Sequence, residues 1–304
     1  MIKKNKYRYI VAEMPFEILL DTSDELNDCL QQYEPFSTLD KTLDIAFLLN
    51  VLPSDSFENI KPDCSQIADF DEEGQRMQIY KSDAGEYSIL MTLDDDRTGG
   101  CLLTINNDFS QAWLRTTCSS QMYFYGFNSA VMMMYAFAGA TRHHLLIHSS
   151  VIKKDGLGYL FLGKSGTGKS THSGLWLKYI PGTELLNDDN PVICCEEDNI
   201  PMVYGSPWSG KTPCYRNVEA RIGGFVSLHQ APYNKIQRLP IVPAYAALFP
   251  TVSNMKWERR LNDGINETIN SIICNVPIYR LDCLPDEAAA NMSYRELTAD
   301  IKHA

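Results

Sequence analysis

With 304 residues, 44% of them hydrophobic and 21% charged, the chain is long enough for one large globular domain or two modest ones. A net charge of -11, a pI near 5.0 and the lack of any Lys/Arg cluster exclude a duplex-binding surface, so nucleic acid is not an expected partner. They do not exclude a nucleotide, because a phosphate loop works mainly through backbone N–H groups and one lysine.

The first twenty residues carry Lys and Arg but no unbroken apolar core, so they do not read as a secretory signal. Nine cysteines, an odd number with no C-x-x-C spacing, point away from structural zinc. They point to reduced thiols and a cytoplasmic setting. Residues 76–106 show three apolar runs split by two turn clusters, Asp83–Gly85 and Asp94–Gly100, with glycine where a hairpin needs positive φ. The acid runs Asp71–Glu73 and Asp94–Asp96 lack the alternating oxygens of a calcium loop and read as solvated turns. A β-rich domain over 1–120 and a second domain over 121–304 are expected, with the join blurred between 107 and 141. Residues 122–140, MYFYGFNSAVMMMYAFAGA, are long enough to span a bilayer. Asn128, Ser129 and two glycines make a buried helix the better reading, so no membrane partner is expected.

Beyond residue 144 short strands mix with helix, as in an α/β core. LLIHSSVI (145–152) reads as one strand, KKDG (153–156) as a turn and GYLFL (158–162) as a second strand. The second strand runs into GKSGTGKS (163–170), a match to G-x-x-x-x-G-K-[ST]. Such a loop needs a buried strand to deliver it, glycines that let N–H groups turn inward, and a helix that starts at once. GYLFL delivers it, Gly163, Gly166 and Gly168 permit the turn, and STHSGLWLKYI (170–180) is helical up to Pro181. The expected ATP site is therefore Gly163, Lys164, Ser165, Gly166, Thr167, Gly168, Lys169, Ser170 and Thr171. Lys169 would reach the β and γ phosphates, and Ser170 would ligate Mg²⁺.

TELLNDD (183–189) reads as a short buried strand ending in Asp188 and Asp189. Side chains alternate along a strand, so the two carboxylates point apart. One suits Mg²⁺ and the other the proton of an acceptor hydroxyl, the two needs of phosphoryl transfer. NPVICCEED (190–198) follows as strand and turn. His148, alone in an apolar strand, reads by itself as a satisfied core residue, and His172 is a weaker candidate than His148. GSPWSGKT (205–212) matches the loop pattern a second time but fails its physics. Pro207 has no N–H, Trp208 is bulky where the chain must wrap tightly, and Pro213 bars a helix at once after it. Trp208 and the following Arg216 and Arg221 are weak candidates for the acceptor side. PIYRLDCLPDEAA, from 277, reads as strand, turn and C-terminal helix.

GKSGTGKS, with IHSSV upstream and LLNDDNPVI downstream, resembles the C-terminal catalytic domain of HPr kinase/phosphorylase. Its S-G-T-G-K is also similar to the loop of ATP-dependent phosphoenolpyruvate carboxykinase. The likeness covers roughly residues 141–200. Residues 201–260 resemble small bacterial proteins with an HPr kinase-like domain, in which a G-x-P-W-x-G stretch like GSPWSG recurs. The resemblance implies an α/β fold, a P-loop kinase core of the HPr kinase/phosphoenolpyruvate carboxykinase type behind a β-rich N-terminal domain. It implies Lys169 as the phosphate lysine, Ser170 as a magnesium ligand, Asp188 and Asp189 as the acid pair that binds the metal and activates the acceptor hydroxyl, and His148 as an active-site residue. HPr kinase has Glu where this chain has Thr171, and its glycine-rich signature after the acid pair is missing here, which weighs against HPr as substrate. The upstream arginines and metal ligands of the carboxykinases have no counterparts here. The expectation is a cytoplasmic kinase that uses ATP and Mg to phosphorylate a hydroxyl acceptor, protein serine or small molecule. The alternatives are a nucleotide-binding accessory or sensor protein without catalysis, and a phosphoenolpyruvate carboxykinase-like enzyme. A homo-oligomer is left open by the resemblance.

Overall fold

The computed structural model describes residues 4–21, 27–53, 62, 64–72, 74–93, 96–117, 120–195, 200–210 and 212–299. The chain divides into two compact units, Met1–Ala138 and Gly139–Ala304. The helix that follows residue 120 therefore belongs almost wholly to the first unit.

In the first unit the strands are β1 (Lys4–Val11), β2 (Met14–Asp21), β3 (Phe47–Pro53), β4 (Ser65–Glu72), β5 (Gln75–Lys81), β6 (Tyr87–Leu93), β7 (Asp96–Ile105) and β8 (Gln111–Thr117). They form one mixed sheet in the order β1-β2-β3-β8-β7-β6-β5-β4. Helix α1 (Asn27–Leu30) is a single turn, and α2 (Ser120–Ala140) is long and apolar. Residues 96–100, expected as turn, are already strand, because the ladder with β6 continues to the pair Leu93↔Asp96. Asp71 likewise lies in β4 opposite Arg76. Glu73, Asp94 and Asp95 lie outside the described residues. Tyr135 of α2 donates its hydroxyl to Val11 O at 2.9 Å, and Gly126 passes so close to Cys101 that a Cβ there would collide with it. No helix among the described residues is long and apolar enough to cross a membrane.

The second unit carries β9 (His144–Leu146), β10 (Ser149–Lys154), β11 (Leu157–Leu162), β12 (Thr183–Asp189), β13 (Val192–Cys195), β14 (Pro201–Tyr204), β15 (Glu219–Gln230), β16 (Lys235–Arg238) and β17 (Ile278–Cys283). Its helices are α3 (Lys169–Tyr179), α4 (Ile241–Leu248), α5 (Arg259–Asn275) and α6 (Glu287–Ala299). All nine strands belong to one sheet, ordered β12-β10-β11-β15-β14-β13-β9, with β17 on β15 and β16 on β17. Helices α3 and α6 cover one face, where Tyr159, Phe161, Trp176, Val226, Leu281 and Leu297 share a core cluster.

This architecture corrects the expected P-loop kinase core. An α/β core of that kind stacks parallel strands through helical crossovers. In the second unit β10–β11, β13–β14 and β10–β12 all pair antiparallel, and among its described strands only β11, β15 and β17 pair parallel. The molecule is sheet-rich, with two large mixed sheets. For β10–β11 the reason is local: the two-residue turn Asp155-Gly156 folds the chain back as a hairpin, leaving no room for a helix between the partners.

Candidate active site at the glycine loop

Three parallel strands end along one edge of the second sheet. Leu162 of β11 is in register with Ser227 of β15, and Ser227 with Arg280 of β17. Ligands bind outside the carboxyl ends of parallel strands, where connecting loops gather. The loop Gly163–Gly168 leaves β11 at this edge and enters α3 directly. Gly166 and Gly168 hold φ of 76° and 108°, a region that favours glycine. Within the loop, Thr167 donates its N–H and its hydroxyl to Lys164 O, at 3.1 and 2.7 Å. The first N–H groups of a helix have no partner inside it, so this end of α3 presents donors to an anion. Lys164, Ser165 and Gly166 are exposed, as are Ser170 and Thr171 in the first helical turn.

Lys169 is 8% exposed and turns back into the loop. Its ammonium donates to Gly163 O at 3.0 Å and stands 2.7 Å from His148 Nε2. Burial pulls its pKa below the ordinary lysine value, against the opposing pull of Asp189 and Asp188. His148 Nδ1 lies 2.9 Å from Asp189 Oδ1. An ammonium can only donate, so Nε2 accepts and Nδ1–H donates to the carboxylate. Lys169, His148 and Asp189 thus form one hydrogen-bonded line.

His148 owes its place to a correction. The expected single strand 145–152 is two strands, β9 paired with β13 and β10 paired with β11 and β12. The chain changes partners at Ile147-His148, where the His148 N–H donates to Thr251 O at 2.7 Å. Outside the ladder, its ring reaches both Lys169 and Asp189.

The acid pair divides by face. Asp188 is in register with Ser150, whose hydroxyl meets Ser173 of α3 at 2.6 Å. Registered partners share a face, so Asp188, 5% exposed, faces the helix that begins with Lys169 and Ser170. Asp189, one residue on, faces His148. Ser149, in register with both Leu162 and Asp189, is fully buried, and its hydroxyl has no hydrogen-bond partner among the described residues.

The second glycine stretch clamps this strand. Gly210 N donates to Asp188 O at 2.7 Å, and Ser209 bridges Asp189. Asn187 donates to Ser206 Oγ and Trp208 O, at 3.1 and 3.2 Å. Its glycines permit close approach: a Cβ on Gly210 would lie 2.8 Å from Asp188 O, and one on Gly205 would strike Arg216 O. No helix follows it, and Lys211 lies outside the described residues. Trp208 is 5% exposed and lines neither cavity at the loop. Arg216 is engaged by Glu184 at 2.7 Å and by Leu185 O. Arg221 pairs with Leu157, at the far end of β11, roughly 16 Å of strand from the loop. The structure does not bring these three to the loop. His172 is buried, hydrogen-bonded to Ser293 Oγ at 3.0 Å, and belongs to the α3–α6 interface.

Two cavities flank the loop. One, about 900 Å³, is lined by His148, Lys164, Ser227, His229, Arg280 and the α4 residues Pro243 and Ala246, among others. The other, about 670 Å³, runs along α3 past Thr171 and Leu175 to Pro232, Leu284 and Pro285. Gln230 stands between them and donates to Gly166 O and Thr167 O, at 3.3 and 3.4 Å. Gln230, His229 and Arg280 carry no motif. Only knowing that β15 and β17 run parallel beside β11 would have placed them here.

No protein-family model matches the chain, and a search of curated proteins gives no match either.

Proposed function

We propose that the second unit is an ATP-dependent phosphotransferase that moves the γ-phosphoryl group to a hydroxyl acceptor. The observation that carries this reading is the hydrogen-bonded line Lys169–His148–Asp189 at the mouth of a glycine loop. It puts a cation for phosphate and a base with an orienting carboxylate within one site. The loop N–H groups and the start of α3 hold the phosphates, while Lys169 turns from His148 to the β and γ oxygens. The apolar 670 Å³ cavity beside Leu175 and Pro285 suits a flat base. The acceptor then enters through the larger cleft, where His148 lies.

His148 Nε2, released by Lys169, accepts the proton of the acceptor hydroxyl, and Asp189 holds the ring through Nδ1–H. The acceptor oxygen bonds to the γ phosphorus as the bond to the β–γ bridging oxygen breaks, and ADP departs. Among the described residues no group of three or more His, Cys, Asp and Glu side chains converges as a metal site. Ser170 and Asp188 offer hard oxygens that fit Mg²⁺ sharing its shell with phosphates and water. Such an ion would supply neutralisation of the charge that develops on the phosphates. The second glycine stretch serves as the brace that fixes Asp188 and Asp189.

The test is incubation of the full chain with γ-labelled ATP, Mg²⁺ and a panel of hydroxyl acceptors, beside Lys169→Ala. Transfer or hydrolysis in wild type alone supports the reading. Folded protein that neither transfers nor hydrolyses defeats it.

A further inference from the structure

The chemistry of the acceptor is written in the wall of the larger cleft. The chain as a whole carries -11, yet among the described residues no Asp or Glu lines this cleft, while Lys164 and Arg280 do. Arg280 is two strands from Leu162 in a registered row, so the two Cα atoms are roughly 10 Å apart. Its Nε and Nη2 both donate to one oxygen of Asp282, at 3.0 and 2.8 Å. That grip orients the guanidinium but uses only part of a five-donor fork. The side chain remains 42% exposed and lines the cleft. Pro243 and Ala246 of α4 add apolar lining to the same cleft. The nucleotide phosphates already have Lys169 and the loop N–H groups, so a further cation at this distance serves the other substrate.

We propose that the acceptor carries its own carboxylate or phosphate, gripped by Arg280 while its hydroxyl faces His148. This rests on the phosphotransferase reading above. Arg280 is on this account a specificity-determining residue, and neutral alcohols are poor acceptors.

The full chain is saturated with a non-hydrolysable ATP analogue and Mg²⁺, and its thermal midpoint is followed with added probes. D-glycerate and L-serine carry a carboxylate beside a hydroxyl, inorganic phosphate is a bare anion, and glycerol and ethanolamine lack an anionic group. The anionic probes are expected to stabilise wild type, with affinity for them falling on the order of ten- to a hundredfold in Arg280→Gln. Arg280→Lys, which keeps the charge without the fork, should fall between. Affinity for the ATP analogue should stay at the wild-type value in both variants. Equal response to anionic and neutral probes, equal response of wild type and Arg280→Gln, or no response to any anion overturns the proposal. Loss of analogue affinity in Arg280→Gln overturns it too, by assigning the arginine to the nucleotide. An analogue that fails to bind wild type at all defeats the phosphotransferase reading and this proposal with it, and is distinct from every other outcome.

Discussion

Lys169 Nζ lies 2.7 Å from His148 Nε2, and the same imidazole turns Nδ1 to Asp189 Oδ1 at 2.9 Å. The three residues come from the start of a helix, a break between two strands and the end of a third strand. No two are neighbours in sequence, so the line exists only because β10 pairs with both β11 and β12.

Lys169 anchors the first prediction. ATP or ADP with Mg²⁺ at a hundred times its Kd should stabilise wild type by about 2.7 kcal/mol. Lys169→Ala should show little of this shift in a thermal melt, because the loop then lacks its one buried cation. Equal shifts in both proteins would remove Lys169 from the phosphate site.

The imidazole and carboxylate should act after binding. His148→Gln and Asp189→Asn are expected to lower the transfer rate by about 10²- to 10⁴-fold, the usual worth of a positioned base. Nucleotide affinity should hold in both. Because the two act as one unit, the double variant should fall no further than the worse single variant. Multiplicative losses in steady-state assays would mean that they act independently.

Gly210 and Trp208 separate bracing from acceptor binding. A methyl on Gly210 would press on Asp188 O, so Gly210→Ala should displace the acid pair and weaken Mg²⁺-dependent transfer. Trp208 is buried, so Trp208→Ala should cost about 3–5 kcal/mol of stability, as large-to-small core changes do. Denaturant melts check it: a Trp208→Ala protein with wild-type stability and selectively lost transfer would return the stretch to the acceptor side.

The glycine loop and the acid pair are legible in sequence because each is a local pattern. A strand, three glycines, a helix start and two carboxylates at a strand end all lie within residues 158–189. His148 is half legible: its neighbours are apolar, and nothing local marks the partner change that frees its ring. The sheet itself is hidden, since hairpins and crossovers both read as alternating apolar runs, and only long-range pairing tells them apart. Arg280 and His229 are invisible for the same reason, as they reach the cleft through the parallel pairing of β15 with β17. Trp208 looks like a ligand-side aromatic until Asn187 and Ser206 are seen to hold its backbone.

His172 supplies a pH dependence that owes nothing to catalysis. Its Nε2 and the Trp176 indole N–H share Ser293 Oγ, at 3.0 and 2.9 Å, and its ring meets Phe161 edge-on. Burial lowers its pKa from 6.5 to about 4. The unfolded chain therefore binds a proton near pH 6.5 that the folded chain refuses until about pH 4. This residue's contribution is present above pH 6.5 and is lost as the pH falls towards 4, by at most about 3 kcal/mol. His172→Gln removes the titration. Denaturant melts at pH 7 and at pH 4.5 should show wild type losing more stability on acidification than the variant. The α3–α6 packing would then loosen in acid while the loop sequence stays unchanged. Identical acid losses in the two proteins would mean that the folded imidazole takes up its proton as readily as the unfolded one.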